Sequence, residues 1–222
     1  MVGAFDFGVV IKYLPDFLAG LRLTFLLGVA SASIGLLLGL LLALARYSRQ
    51  PLVDWPAYVF IEFFRTTPPL VQIVWFYYGL PLFIGEDIGA VGAAILALGL
   101  NIAAFFAEIF RAGITAVDRT QWQAARVLGF GRIDTVRLII LPQALRNVLP
   151  PIGTTIIYLI KGTALASAIG TPELLRIGQL VSNETFRPVE SLTVVAIAYF
   201  VLTYPIALAF YALEKRLARS RA

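Results

Sequence analysis

The sequence predicts an all-α, polytopic membrane protein with five transmembrane helices and one cytoplasmic helix between the third and fourth. Three observations lead there. Hydrophobic residues make up 59% of the 222 positions, and the mean hydropathy of +0.86 is too apolar for one soluble domain. Several stretches of about twenty residues are nearly free of charge, enough to cross a hydrocarbon core about 30 Å thick. The basic residues fall unevenly between two sets of loops. The chain reads as one transmembrane domain over 1–222, with no long repeat, low-complexity segment or linker.

The spans are expected at about 22–46, 55–84, 88–112, 147–170 and 191–214. The first has an uncharged core over 23–45, bracketed by Arg22 and Arg46. The second is long but interrupted by Glu62, Arg65 and the pair Pro68-Pro69. The third is clean except for Asn101, the fourth carries Lys161 and Gly162, and the fifth ends at Glu214-Lys215-Arg216. Small residues recur every fourth position at Ser31, Gly35 and Gly39, and again at Gly89, Ala93 and Ala97. Such ridges let helix backbones approach closely in lipid.

An odd number of spans places the two termini on opposite sides. One set of loops holds Arg46, Arg49, Arg111, Arg119, Arg126, Arg132, Arg137, Arg146, Lys215, Arg216, Arg219 and Arg221. The other holds Lys12, Arg22, Arg176 and Arg187. Cytoplasmic loops carry the basic excess, so the N-terminus is expected outside and the C-terminus inside. The N-terminus does not read as a cleaved signal, because Asp6 and Asp16 stand where a basic flank belongs. Absence of cysteine excludes disulfides, and absence of histidine removes the commonest general base and metal ligand.

The cytoplasmic segment 118–142 opens with Asp118-Arg-Thr-Gln121, a capping-box-like start in which Asp118 accepts a backbone N–H and Gln121 reaches back. Trp122, Ala125, Arg126 and Gly129 then share one face. Small side chains at 125 and 129 admit a close partner, and Gly129 suits a helix end. Pro142 is expected to end the apolar stretch before the fourth span.

Charges in the membrane need a reason. Arg65 lies about ten residues into the second span, ~15 Å deep, and the two prolines after it are expected to break the helix and free carbonyls for a ligand. Glu62 and Thr66 share its face. Asn101 lies near mid-depth, Glu108 nearer the cytoplasmic end within reach of Arg111, and Lys161 outside the middle. Arg65, Glu62, Thr66, Asn101, Lys161 and Glu108 are the candidate substrate-binding residues. A self-neutralised Glu62–Arg65 pair that only holds the bundle together is the competing account. Thr171-Pro172-Glu173 reads as an outer helix start capped by Thr171, with Glu184, Arg187 and Glu190 beyond it available to a partner.

Gln123-Ala-Ala-Arg-Val-Leu-Gly129, followed nine residues later by Ile139-Ile-Leu-Pro142, closely resembles the EAA loop of importer permeases of the ATP-binding cassette class. The pattern there is Glu-Ala-Ala, three residues, Gly, nine residues, Ile, one residue, Leu-Pro, and the one departure is Gln123 for Glu. Phe64-Arg-Thr-Thr-Pro-Pro-Leu-Val71, Ala107-Glu-Ile-Phe-Arg-Ala-Gly-Ile114, Leu159-Ile-Lys-Gly-Thr-Ala-Leu165 and Leu141-Pro-Gln-Ala-Leu-Arg146 resemble segments of polar amino-acid importer permeases. Gly162 stands where that family commonly has Asp. The likeness runs from about residue 20 to 216.

The resemblance implies a non-catalytic permease subunit in a bacterial cell (inner) membrane, moving polar or charged amino acids inward by alternating access. It implies ATPase subunits that dock on Trp122, Gln123, Ala124, Ala125, Arg126 and Gly129. It also implies an external or periplasmic binding protein, and a second permease chain as homodimer or heterodimer. Lipid and an amino-acid substrate complete the partners, and no nucleic acid is expected. No glycine-rich phosphate loop is present, so ATP and Mg are expected on the partner and no cofactor or metal on this chain. The alternatives are a permease of the same architecture for another small polar solute such as an opine, and, from another class, an ion channel.

Overall fold

The computed structural model describes residues 6–48 and 50–219, and every regular element among them is helical. Arg49 and Arg221, counted above among the basic residues, lie outside the described residues. After a short α1 (Phe7–Ile11), α2 runs from Leu14 to Tyr47, 34 residues, or about 51 Å at 1.5 Å per residue. It starts well before residue 22 because Pro15 sits in its first turn, where a missing N–H costs nothing. Arg22 is exposed and interrupts no backbone bond.

The second segment is broken where the two prolines stand. Helix α3 (Pro51–Thr66) ends as Thr67 and Pro68 turn extended, with ψ of 140° and 132°, and α4 (Pro69–Val74) then restarts the chain. A π-type turn over Trp75–Gly79 leads into α5 (Leu80–Ile84). Next come α6 (Gly89–Thr115), α7 (Arg119–Val127) and the single turn α8 (Arg132–Asp134). A π-type turn over Thr135–Ile140 continues into α9 (Leu141–Gly162), which tightens to a 3-10 helix over Thr163–Ile169. Pro142 therefore starts α9 instead of closing the segment before it, again by sitting in the first turn. Helices α10 (Leu174–Thr185) and α11 (Pro188–Arg219) complete the chain.

Among the described residues four helical stretches are long and apolar enough to cross a membrane: Leu14–Tyr47, Gly89–Thr115, Arg132–Ile169 and Pro188–Arg216. Pro69–Ile84 is a shorter apolar helical stretch. The core lies along the seam between α2 and α6, with α9 and the α4 restart packed against it. Gly39 makes that seam possible, since a Cβ there would lie 2.9 Å from the Ala103 carbonyl oxygen. Ala93 and Ala97 are buried in the same core, but Gly89 is not part of the ridge; it has φ +67° at the helix start and no neighbour to pack. Large apolar side chains such as Leu37, Leu41, Phe200 and Val201 face outward, as a lipid-exposed surface requires.

A second core joins α1, α10 and the start of α2 to α11 through Val10, Phe17, Leu174, Val181 and Val195. This end holds the start of α2, the opposite end from Arg46.

Candidate functional site

The helix break is stitched by side chains remote in sequence. Pro68 has no N–H to give the Phe64 carbonyl one turn earlier. The buried Asn101 amide of α6 donates to that oxygen at 2.8 Å, and the buried Gln72 amide of α4 donates to it at 3.1 Å. Gln72 also reaches the Thr67 carbonyl at 3.2 Å and the Thr67 hydroxyl at 2.5 Å. Of the carbonyls expected to be free for a ligand, that of Phe64 is thus already satisfied, and Asn101 is occupied holding the break. Gln72 was not foreseen. It is uncharged and stands four residues past Pro68, and that spacing was its only signal.

Arg65 and Glu62 face out of α3 as a half-exposed pair, Nη1 to Oε1 at 3.3 Å. The Thr66 hydroxyl donates to the Glu62 carbonyl at 2.7 Å, so it is spent locally. Arg65 opens onto a cleft of about 460 Å³ shared with Glu108 and Gly113 of α6 and with Asn147 and Pro151 of α9. Its guanidinium lies 6.0 Å from the Phe105 ring. Glu108 accepts from Arg111 in a forked arrangement, Nη2 at 2.6 Å and Nε at 3.2 Å. The structure therefore brings Arg65 and Glu108 around one opening, with Glu62 paired to Arg65 beside it. Lys161 is not with them: it is exposed ten residues beyond Pro151 on the same helix, about 15 Å further along.

At the basic end, Asp118 caps α7 by accepting from the Thr120 N–H at 2.8 Å, which holds its carboxyl below the ordinary carboxylate range. Gln121 does not reach back; its side-chain oxygen accepts from Gln143 at 3.4 Å. The helix ends with Gly129 at φ +78°, and the Phe130 N–H returns to the Ala125 carbonyl at 3.0 Å, a left-handed cap. Ala125 is buried against the chain itself, and Trp122 packs on Val117, Ile140 and Ala144. The expectation that Ala125 offers its small side chain outward fails for this reason. Gln123, Ala124, Arg126 and Gly129 are exposed, and beside them Val127 and Leu128 are 87% and 72% exposed. These two exposed apolar residues escaped the sequence reading, which looked for small side chains.

The opposite end holds a buried polar knot that the sequence reading missed. Glu173, not Thr171, caps α10, because its carboxylate accepts from the N–H groups of Leu175 and Arg176 at 2.9 and 2.7 Å. The Tyr199 hydroxyl donates to it at 2.9 Å, and the Leu174 N–H donates to the buried Thr24 hydroxyl at 3.1 Å. Burial outweighs these donors and raises the Glu173 carboxyl above its ordinary value. Glu190 is buried too, accepting from the Asp6 N–H at 3.2 Å and from Arg187 at 3.3 Å. It is therefore withdrawn from any partner, whereas Glu184 is exposed.

Residues 35–219 match the family of binding-protein-dependent transport system inner membrane components. The probable amino-acid ABC transporter permease protein YckA of Bacillus subtilis (strain 168) is 36% identical over 214 residues, 96% of this chain and 94% of that protein. The arginine transport system permease protein ArtQ of the same strain is 36% identical over 212 residues, 96% of this chain and 97% of that protein. A crystal structure of an amino acid ABC transporter with histidines superposes with a TM-score of 0.90 at 38% identity, covering 96% of this chain and 99% of that one.

Proposed function

The chain belongs to the family of inner membrane components of binding-protein-dependent transport systems, and we propose on that premise that it is the permease subunit of an ATP-driven importer of polar or charged amino acids. The observation that carries this reading is the superposition, over nearly the whole of both chains, on an amino acid ABC transporter.

In this reading α3 to α5 form one broken crossing and the chain crosses five times. The basic end is cytoplasmic and the Glu173 knot lies outside. Energy enters at α7, whose exposed Val127 and Leu128 meet a partner ATPase carrying ATP and Mg. Trp122 is wedged into the cluster of Val117, Ile140 and Ala144, and Gln143 bonds back to Gln121. A push on α7 is thereby carried into α6 and α9, the two helices that line the Arg65 cleft. Packed elements of this kind move as units and suit a two-state rocking motion.

The cleft supplies the recognition chemistry. Arg65 suits the α-carboxylate of a zwitterion, and Glu62 and Glu108 are carboxylates for its ammonium group. An external binding protein delivers the amino acid, and a second permease chain closes the pathway. The test is reconstitution into vesicles with the ATPase and binding protein, followed by uptake of labelled amino acids. Uptake should require ATP. An assembled, ATP-hydrolysing complex that takes up no polar amino acid would overturn the reading, and ATP-independent ion flux would favour a channel. External labelling of a cysteine placed at Phe130 in intact cells would overturn the orientation.

A further inference from the structure

A second recess, of about 730 Å³, opens beside α7 and is lined by Arg119, Arg126 and Arg132 together with Tyr47, Trp122 and Phe130. None of the ion pairs among the described residues involves these three arginines. No carboxylate lines the recess. Asp118, the acidic group at the start of α7, is bonded to Thr120. Three like charges around one recess that no carboxylate lines repel one another, and a bound anion relieves that repulsion.

The recess shares Trp122 and Arg126 with the stretch on which the ATPase is expected to dock, but its arginines lie to one side of that stretch's outward face. Arg119, Trp122 and Arg126 stand at three- and four-residue spacing on one stripe of α7. Buried Ala125 fixes which side of the helix faces the chain, and Gln123 and Val127 lie on the side away from it. The arginine stripe flanks that outward face and looks sideways. Its depth is given by Tyr47, two residues past the uncharged 23–45 stretch of α2, hence about 3 Å beyond the apolar boundary. That is headgroup depth. The stretch that follows exposes apolar side chains, Ile133 at 80% and Leu138 at 59%, among the charges of Arg132, Asp134 and Arg137, a mixture that suits an interfacial position. Tyr47, Trp122 and Phe130 add the aromatic rings that favour this layer.

From this juxtaposition we infer that Arg119, Arg126 and Arg132 form a binding pocket for the phosphate of an anionic phospholipid headgroup of the cytoplasmic leaflet. The inference rests on the orientation proposed above. It gives the basic end a role in seating α7 at the membrane, next to the surface on which the ATPase pushes.

The test uses the assembled permease–ATPase complex in detergent, titrated with dioctanoyl phosphatidylglycerol, dioctanoyl phosphatidylcholine or inorganic phosphate and read by native mass spectrometry. The unsubstituted complex should bind phosphatidylglycerol in preference to phosphatidylcholine. Basic residues near an anionic surface contribute about fivefold each, so Arg119→Gln with Arg132→Gln should weaken phosphatidylglycerol binding about 25-fold. Arg119→Lys with Arg132→Lys should retain most of it, which separates charge loss from misfolding. Lys215→Gln with Arg216→Gln removes two charges from the same side but outside the recess, and should change little.

Equal binding by the glutamine variant, or equal loss in the control, would overturn the pocket. Arginine-dependent binding of inorganic phosphate without phosphatidylglycerol binding would assign the recess to a soluble anion and overturn the lipid. Binding seen only after the ATPase is stripped away would show the recess to be part of the ATPase contact and overturn it equally. Because the readout is lipid binding and not uptake, a complex that binds phosphatidylglycerol but transports no amino acid would sink the transport reading and leave the pocket standing.

Discussion

Asn101→Ala combined with Gln72→Met should destabilise the protein by more than the sum of the two single changes. Both amides donate to one acceptor, the Phe64 carbonyl left over by Pro68, at 2.8 and 3.1 Å. A hydrogen bond is worth about 1 kcal/mol net in water and about 0.6 kcal/mol in a bilayer protein. Each single change should therefore cost about 0.6–1 kcal/mol, because the carbonyl keeps its other donor. Gln72→Met also gives up the bonds to the Thr67 carbonyl and hydroxyl, a loss offset in part because it removes a buried side-chain oxygen that has no partner. The double change strands a buried carbonyl, which adds about 1–3 kcal/mol of uncompensated desolvation. With about 2–4 °C of melting temperature per kcal/mol for a chain of this size, the double variant should fall at least about 2 °C beyond additivity. Thermal unfolding of the four proteins of the cycle in bilayer nanodiscs reads this directly. Strict additivity would mean that the break is not held by these two amides, and the account of how Arg65 is positioned would fail with it.

Gly129→Trp should leave membrane insertion intact and abolish ATPase co-purification and uptake, because nothing crowds a side chain there but φ +78° strains it; normal transport would remove α7 from the coupling path. Val127→Asp with Leu128→Asp should likewise release the ATPase while the permease still folds, as both side chains are exposed. Arg65→Met with Glu62→Gln removes the pair without leaving a lone charge, so the variant should assemble yet fail to transport, and retained uptake with unchanged apparent affinity would refute the site. The Glu173 carboxyl is raised by burial, so its contribution to stability is fully present below the ordinary carboxylate pKa and is lost as pH rises through the raised value. Protection of the α10 amides, taken as exchange relative to the intrinsic rate at the same pH, should therefore rise on acidification, and Glu173→Gln should flatten that dependence; a steeper dependence in the variant would reverse the sign.

Much of the helical layout was legible because it depends on local rules. Apolar runs set where α2, α6 and α11 lie, and two adjacent prolines made the break at Thr67–Pro68 foreseeable. What escaped the sequence was the direction in which side chains point once helices pack. A helical wheel put Ala125 and Arg126 on one face of α7, but only the packing of α7 on its own chain shows that Ala125 is covered and Arg126 is not. Asn101 was read as polar at mid-depth, yet its acceptor is 37 residues away, a distance at which no periodicity speaks. Thr171 looked like the cap of α10 because proline follows it, but a carboxylate at 173 reaches two free N–H groups and wins. Lys161 shows the converse: its charge and an assumed similar depth grouped it with Arg65. Counting 1.5 Å per residue from Pro151, which does face Arg65, already places it about 15 Å away. Depth along a helix can thus be counted from sequence once one contact is fixed. Arg65 and Glu108, on different helices, line the same cleft and so share a level, which counting along one helix could not have shown.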